Sequence, residues 1–229
     1  MIAQAMAKRG SSRREQERAF RTRLIVEAAE EVFAAHGLQA ATVEEIATRA
    51  EVAIATLYKL FGSKDAIFTA LVEHRQQEFL LEVAPVLHSE AIPAVRLTRF
   101  IEVVFRYFES HRAAFRIYIG TTQGFPWQIR SSLGEHAFGK YREFVEFVGG
   151  LLDAGMRGGV WRRDDPTRLA VAIMGVLNGL LLQWQTQSVE SSADEHIRHA
   201  TELVFRLVGT SGAEAAAGTR ARPARRRQK

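Results

Sequence analysis

The chain has 229 residues and no cysteine, which excludes disulfide bonds and cysteine-ligated zinc and fits a reducing cytoplasm. Hydrophobic residues make up 47% of it, enough for a substantial core, and prolines number only 5. Long segments rich in Ala, Leu, Glu and Arg, with few alternating apolar runs, predict an all-α fold.

The net charge of +5 is concentrated at the two ends, and the rest of the chain is mildly acidic. Residues 1–15 mix Gly, Ser and Arg and are expected to form a disordered basic arm. Residues 210–229 are expected to form a disordered basic tail of low complexity. Basic ends attract a polyanion, and the contact of either end with DNA is left open against a simple solvated terminus.

The first helix is predicted from Gln16 to about Ala35, where apolar residues recur every three or four positions. Gly37 directly after His36 is a C-cap signal. A second, short helix is predicted after Thr42, whose spacing from Glu45 is that of a capping box.

A third short helix is predicted after a break at residues 51–53. Leu57 and Phe61 are expected to point inward. The residues expected to face outward are Ala55, Thr56, Lys59 and Leu60. Two short helices joined by a tight turn suit insertion of the second helix into a DNA groove. Together with the first helix they predict a three-helix DNA-binding head over residues 16–62.

This stretch resembles the DNA-binding signature of the TetR family of bacterial transcription regulators over about residues 23–71. Residues that carry the resemblance are Ala28, Ala29, Phe33, His36, Gly37, Ala41, Thr42, Val43, Ile46, Ala47, Ala50, Val52, Thr56, Leu57, Tyr58, Phe61, Ser63 and Lys64. The chain departs from the family pattern at three positions. Glu51 and Ala55 stand where the family usually has Gly, and Ala53 stands where it usually has Ser or a similar N-cap.

The resemblance implies DNA contacts by Thr42, Ile54, Ala55, Thr56, Tyr58, Lys59 and Lys64. Ile54 and Ala55 match base-facing positions, while Thr42 and Lys64 lie at helix starts where free N–H groups favour a phosphate. The departures predict that Glu51 holds its turn at positive φ, and that the third helix frays at its start until DNA orders it. The alternative interpretation is a helical hairpin with a solvated face.

The remaining residues, 63–209, are predicted to form a helical ligand-binding and dimerisation domain. Its first helix is expected to begin at Ser63, with Leu81 on its inner face, and to end before Pro85. Further helices are predicted from Pro93, over residues 111–119, 126–133 and 135–157, from Pro166 to about Ser188, and from Asp194 or a neighbour to near Gly209.

Many aromatic residues in this domain predict a mostly apolar ligand pocket, with ordinary core packing as the alternative. The candidate pocket residues are Phe105, Tyr107, Phe115, Tyr118, Phe125, Trp127, Phe144 and Asn178. Residues 169–184 are apolar on nearly all sides and shorter than the ~20 residues that a membrane span needs, so a buried helix is predicted. A symmetric partner would cover it through Ile173, Leu177, Leu180, Leu181, Trp184 and Val204.

No motif of a hydrolase, phosphate-binding loop or dinucleotide site is present, so no catalytic residue and no cofactor are predicted. His196 and His199 share a helix face, but spacing supplies no third ligand and no metal site is predicted. The sequence is therefore interpreted as a cytoplasmic homodimeric transcription regulator, a repressor that leaves a palindromic operator when a small apolar or amphipathic effector binds. The alternatives are a ligand-independent architectural DNA-binding protein and a helical enzyme.

Overall fold

The computed structural model describes residues 2–122, 126–186 and 192–209, and side chains from residue 15 onward except those of residues 120, 126, 127 and 186. The described chain contains nine α-helices and no strand, which confirms the all-α prediction. The helices are α1 Ile2–Ala40, α2 Val43–Arg49, α3 Ile54–Phe61, α4 Lys64–Leu87, α5 Pro93–Ser110, α6 Arg112–Thr122, α7 Pro126–Arg157, α8 Pro166–Thr186 and α9 Ala193–Val208.

Helix α1 begins at Ile2, where the sequence had predicted a disordered arm up to residue 15. The expectation of disorder rested on Gly and Ser content, but Ala, Arg, Gln and Met, which dominate this stretch, have high intrinsic helix propensity. Gly37 has φ 76° and interrupts the helical backbone near its end, as its C-cap signal predicts. The predicted tail, residues 210–229, lies outside the described residues.

Helix α4 starts as predicted, because Ser63 Oγ accepts a hydrogen bond from the Ala66 N–H at 3.1 Å. It does not end before Pro85 but continues to Leu87. Pro85 lies inside the helix and supplies no N–H for the carbonyl of Leu81, and Leu81 lies on an exposed face, where solvent can reach that carbonyl. Leu81 itself is 69% exposed, so its prediction as an inner residue was wrong.

The later helices follow the predicted breaks with small shifts. Gly134, at φ 86°, separates the two segments of α7 that were predicted as two helices. The cap of α9 is Ser192, whose side chain accepts from the Glu195 N–H, and its C-cap is Gly209 in the left-handed conformation. Capping residues therefore placed helix ends to within a few residues.

The chain divides into two compact units. Unit 1 comprises Met1–Glu78 and His111–Gln123, and unit 2 comprises Phe79–Ser110 and Gly124–Lys229. The predicted boundary between residues 62 and 63 differs from this division, because α4 contributes residues to both units and α6 packs on α1. The predicted boundary was placed at the end of the DNA-binding motif, and the motif does not indicate that α4 belongs to both units.

One stretch of the described chain, Pro166–Gln185, is long and apolar enough to cross a membrane by length and composition alone. Core helices of water-soluble proteins pass the same test. In unit 2 this helix packs against α7 and α9, and Ile173, Leu177 and Leu181 are buried there.

Candidate nucleic-acid interface

Helix α2 begins with the predicted capping box. Thr42 Oγ1 accepts from the Glu45 N–H at 3.2 Å, and Glu45 Oε2 accepts from the Thr42 N–H at 2.8 Å and from the Thr42 hydroxyl at 2.9 Å. The bond from the Thr42 backbone N–H, with the hydroxyl bond and the nearby His36, lowers the pKa of Glu45. Both hydrogen-bond donors of Thr42, its N–H and its hydroxyl, are therefore engaged in holding the start of α2.

The turn between α2 and α3 is a Schellman motif built on an unusual residue. The Val52 N–H donates to Ala47 O at 3.0 Å, and the Glu51 N–H donates to Thr48 O at 3.2 Å. Glu51 has φ 54°, in the left-handed region, and no other described non-glycine residue has positive φ. The predicted conformation of Glu51 is confirmed, and its side chain carries the strain that a glycine avoids.

One side of helix α3 packs against the rest of the head, and the opposite side is exposed to solvent. Leu57 is 1% exposed and packs into the head, whereas Ile54 is 41% exposed and Tyr58 is 51% exposed. Ala55 and Lys59 are also exposed. This arrangement gathers four of the seven predicted DNA-contact residues on one solvent-facing side of a short helix, with Thr56 half-buried at its edge.

The start of α3 lacks a side-chain cap, as Ala53 predicts. The Thr56 N–H instead donates to Ala53 O at 2.8 Å, in a tighter turn than that of an α-helix. The structure begins α3 at Ile54 all the same. Opening of this first turn without DNA stays a prediction.

Lys64 was predicted to lie at a phosphate-binding helix start, and in the structure its side chain forms hydrogen bonds within the protein. Its ammonium Nζ donates to Gln39 O at 3.0 Å and to Ala41 O at 2.8 Å. The side chain thus ties the start of α4 to the connection between α1 and α2, and it positions the head. Spacing along the chain did not reveal this contact because the partners are 23 and 25 residues away.

A half-buried ion-pair network joins α1 to α4 and was missed in the sequence. Arg75 Nε donates to Glu30 Oε2 at 2.7 Å, and Arg75 NH1 donates to Glu78 Oε2 at 2.5 Å. Glu30 is buried, and its charge is balanced by the guanidinium. The signal was the spacing of four from Ile67 through Leu71 to Arg75, which places Arg75 on the inner face of α4.

The predicted ligand-pocket residues are divided between the two units. Phe115 and Tyr118 belong to unit 1, whereas Phe105, Tyr107, Phe144 and Asn178 belong to unit 2. Phe125 and the side chain of Trp127 lie outside the described residues.

Among its described residues, unit 2 contains two groups of four aromatic rings, besides the ring pairs His88–Phe147 and Phe138–Tyr141. The first joins Phe79, Phe100, Tyr107 and Phe144, with ring centroids of Phe79 at 5.2 Å from Tyr107 and 5.4 Å from Phe144. The second joins Phe105, Phe108, Trp184 and His196, with the Trp184 and His196 rings 4.5 Å apart. Phe79 was missed, although it continues the spacing of four along α4.

The predicted dimer-interface residues are mostly used within one chain. Ile173, Leu177, Leu181, Trp184 and Val204 are buried by the other helices of unit 2, and only Leu180 is half-exposed. Side chains that already pack inside one chain are not available to a partner, so this part of the prediction is corrected. The exposed large apolar residues of α8 are Val171 and Leu182, with the exposed Gly175 and Gly179 between them in the sequence.

The pair His196 and His199 has no metal-binding arrangement around it. Among the residues that the structure describes, no group of three or more His, Asp or Glu side chains is placed to hold an ion. His196 stacks on Trp184 and Phe105 as part of the second aromatic cluster.

Comparison with protein families adds two matches that together span most of the chain. Residues 25–71 match the model described as bacterial regulatory proteins of the tetR family. Residues 90–208 match the model described as the C-terminal domain of tetracyclin repressor-like proteins.

Curated relatives are transcriptional regulators with a helix-turn-helix. The chain is 29% identical over 140 residues to the repressor KstR2 of Mycobacterium tuberculosis, which covers 61% of this chain and 68% of the relative. It is 26% identical over 140 residues to the repressor NicS of Pseudomonas putida, and the match covers 61% of this chain and 65% of NicS. It is 23% identical over 176 residues to the uncharacterized regulator YhgD of Bacillus subtilis, and the match covers 73% of this chain and 85% of YhgD.

Solved structures share the fold. A proposed regulator of fatty acid metabolism from Clostridium perfringens superposes with a TM-score of 0.67 at 25% identity, covering 81% of this chain and 96% of that one. The fatty acid degradation regulator FadR of Bacillus halodurans superposes with a TM-score of 0.72 at 18% identity, covering 84% and 96%.

Proposed function

The chain belongs to the TetR family of DNA-binding transcriptional regulators, and we propose that it is a repressor that binds a two-fold symmetric operator as a homodimer and leaves it when an effector binds. The effector that we propose is a small apolar or amphipathic molecule. The observation that carries the DNA-binding part is the exposed face of α3, where Ile54, Ala55, Tyr58 and Lys59 stand on a helix anchored by Leu57.

The local geometry supports α3 as the helix that enters the major groove. Its partner α2 is held at both ends, by the capping box at Thr42 and by the Schellman turn at Glu51. A recognition helix must be presented at a fixed angle, because small displacements remove contacts to base edges. Tyr58 and Lys59 supply a hydroxyl and an ammonium for phosphates, which position a protein on DNA more than they select a sequence.

The effector proposal rests on the relatives and on the aromatic content of unit 2. KstR2 is described as a ketosteroid transcriptional regulator, and FadR as a fatty acid degradation regulator. Both descriptions concern apolar carbon skeletons. The cluster of Phe79, Phe100, Tyr107 and Phe144 concentrates apolar ring surface of the kind that lines such pockets in unit 2.

The homodimer proposal rests on the exposed side of α8. Val171, Gly175, Gly179 and Leu182 recur at spacings of four, four and three residues, so they lie along one face. A Cβ added at either glycine meets nothing within 4 Å, which leaves a flat face open to a second helix. Leu207 of α9, which packs on α8, is also exposed and apolar. Two copies of this face would bury each other.

Release by an effector requires a difference in its affinity for the DNA-bound and released states. A 100-fold loss of operator affinity corresponds to about 2.7 kcal/mol of coupling. The same factor applies in reverse, so operator DNA must weaken effector binding equally. This reciprocity is measurable by titrating each ligand in the presence of the other.

The test of the proposed function is binding of the full chain to DNA selected from a random library. We expect a palindromic sequence bound by two protomers, and a Lys59→Ala variant whose affinity falls similarly on all sequences, with a salt slope smaller by about 1 per half-site. Equal affinity for selected and unrelated DNA would instead support the architectural alternative. Sedimentation equilibrium of the free protein measures the dimer.

A further inference from the structure

The first turn of the recognition helix presents an apolar surface to solvent. Ile54 is exposed over two-fifths of its surface, and Ala53 and Ala55 beside it are exposed as well. None of these side chains carries a hydrogen-bond donor or acceptor. The apolar area here is local, because Tyr58 and Lys59 follow one turn later with polar ends.

Each base presents a different chemistry in the major groove. Guanine is read by Arg or Lys, adenine by Asn or Gln, and cytosine by Asp or Glu, in each case through hydrogen bonds. Thymine alone adds a methyl group, which apolar side chains contact. Ile54 and Ala55 are unable to make the hydrogen-bonded pairings, so the methyl group is the base feature that matches them.

We propose that Ile54 and Ala55 form a contact surface for thymine 5-methyl groups, so that each operator half-site carries thymines opposite the first turn of α3. This inference rests on the proposed DNA-binding function and adds the class of base that the site selects. Tyr58 and Lys59 anchor the helix to the backbone, and the apolar first turn selects sequence by excluding water from thymine methyl groups.

The local backbone supports a close approach at this turn. No side-chain cap projects from Ala53, and the Thr56 N–H is already paired with Ala53 O. A Ser or Asn at the cap position would place a polar group beside the bases. Here the side chains of the helix start are small and apolar, so the approach of Ile54 to a base edge buries no polar side-chain group beside it.

The experiment replaces individual thymines of the selected operator by deoxyuridine, which keeps the pairing and hydrogen-bonding edges and removes only the methyl group. At the thymines opposite α3 we expect affinity to fall roughly fourfold per methyl group. Replacement of thymines outside the half-sites is the matched control and is expected to change nothing. Affinity is measured by fluorescence anisotropy with the full chain at fixed salt.

A second arm assigns the effect to Ile54. For Ile54→Ala, the ratio of the affinity for the thymine operator to the affinity for the deoxyuridine operator is expected to fall towards one. The control variant Lys59→Ala is expected to bind all operators more weakly and to retain the full thymine preference. Because Ile54 is exposed, its truncation leaves the fold intact, and thermal unfolding of each variant verifies this.

The outcomes separate the inference from the function on which it rests. Failure to select any operator would remove the proposed function. An operator that is bound equally with thymine or deoxyuridine would overturn the methyl contact and leave the function standing. A thymine preference that survives unchanged in Ile54→Ala would overturn the assignment to this side chain.

Discussion

The DNA-binding head, taken here together with α4 as far as Glu78, and the helical body, which is unit 2, are stabilised in different ways. In the head, polar contacts between near neighbours hold each turn, as in the capping box of Thr42 and the Ser63 cap. In the body, long helices pack through aromatic clusters whose members come from distant parts of the chain, such as Phe105 and Trp184. A DNA-binding head must hold its recognition helix at a fixed angle. The effector response proposed for unit 2 requires instead that its helices can pack in more than one arrangement.

The largest expected effect distinguishes buried from exposed apolar residues of α8. Trp184, 4% exposed, stacks on Phe105 and Phe108, so Trp184→Arg places an unpaired charge in the core and is expected to cost more than about 4 kcal/mol. Leu182→Arg, on the exposed face, is expected to leave the fold intact and to dissociate the dimer.

Circular dichroism and sedimentation velocity on both variants measure these two outcomes. A folded Trp184→Arg monomer would contradict its position in the core. A Leu182→Arg protein that remains dimeric would remove the α8 face from the interface.

The next prediction compares the stability contributed by the half-buried Glu30–Arg75 ion pair with that of an exposed ion pair. Glu30→Ala removes one of the two carboxylates that bind the half-buried Arg75 guanidinium and leaves Glu78 in place, and we expect a loss of about 2 kcal/mol in the free energy of unfolding. The matched control is Glu17→Ala in the exposed pair with Arg21, with an expected loss below about 0.5 kcal/mol.

Urea denaturation of the two variants measures the difference. Equal losses would show that burial adds nothing to the Glu30–Arg75 pair. The double variant Glu30→Leu with Arg75→Met should recover most of the stability, because neither charge remains.

A smaller effect of opposite sign is expected at the turn. Glu51→Gly removes the left-handed strain of a side-chain-bearing residue at φ 54° and is expected to stabilise the head by about 0.5 kcal/mol after the entropic cost of glycine. Glu44→Gly, at an exposed position in the first turn of α2, is expected to destabilise the head by about 1 kcal/mol. Thermal melting of both variants compares them, and a destabilising Glu51→Gly would mean that the side chain contributes a contact that outweighs the strain.

The smallest effect is the pH response of the capping box. The pKa of Glu45 is lowered in the folded chain by its bond from the Thr42 N–H, so its contribution is present above the unfolded value near 4.5 and is lost as pH falls through the lower folded value. Glu45→Gln keeps an acceptor without titrating and should flatten this part of the profile. Helix content between pH 6 and pH 3 is the measurement, and identical profiles would exclude the linkage.

The two regions also differ in how far the sequence predicted them. Thr42, Glu51, Gly37 and Ser63 were placed correctly because caps and turns act through atoms within about four residues of each other. On α3, helical spacing predicted the burial of Leu57 and the exposure of Ala55 and Lys59 correctly, whereas Thr56 and Leu60, which were expected to face outward, are half-buried.

For the body, the sequence by itself determined that α8 is apolar and must be covered, but not by which neighbours. Only the tertiary structure decided that Trp184 and Leu177 turn inward while Leu182 stays exposed, and that Phe79 joins Tyr107. It also decided that the Lys64 ammonium binds the carbonyls of Gln39 and Ala41. The physical reason is that apolar burial is non-directional and depends on residues distant in the chain, whereas a cap is specified by its own few neighbours.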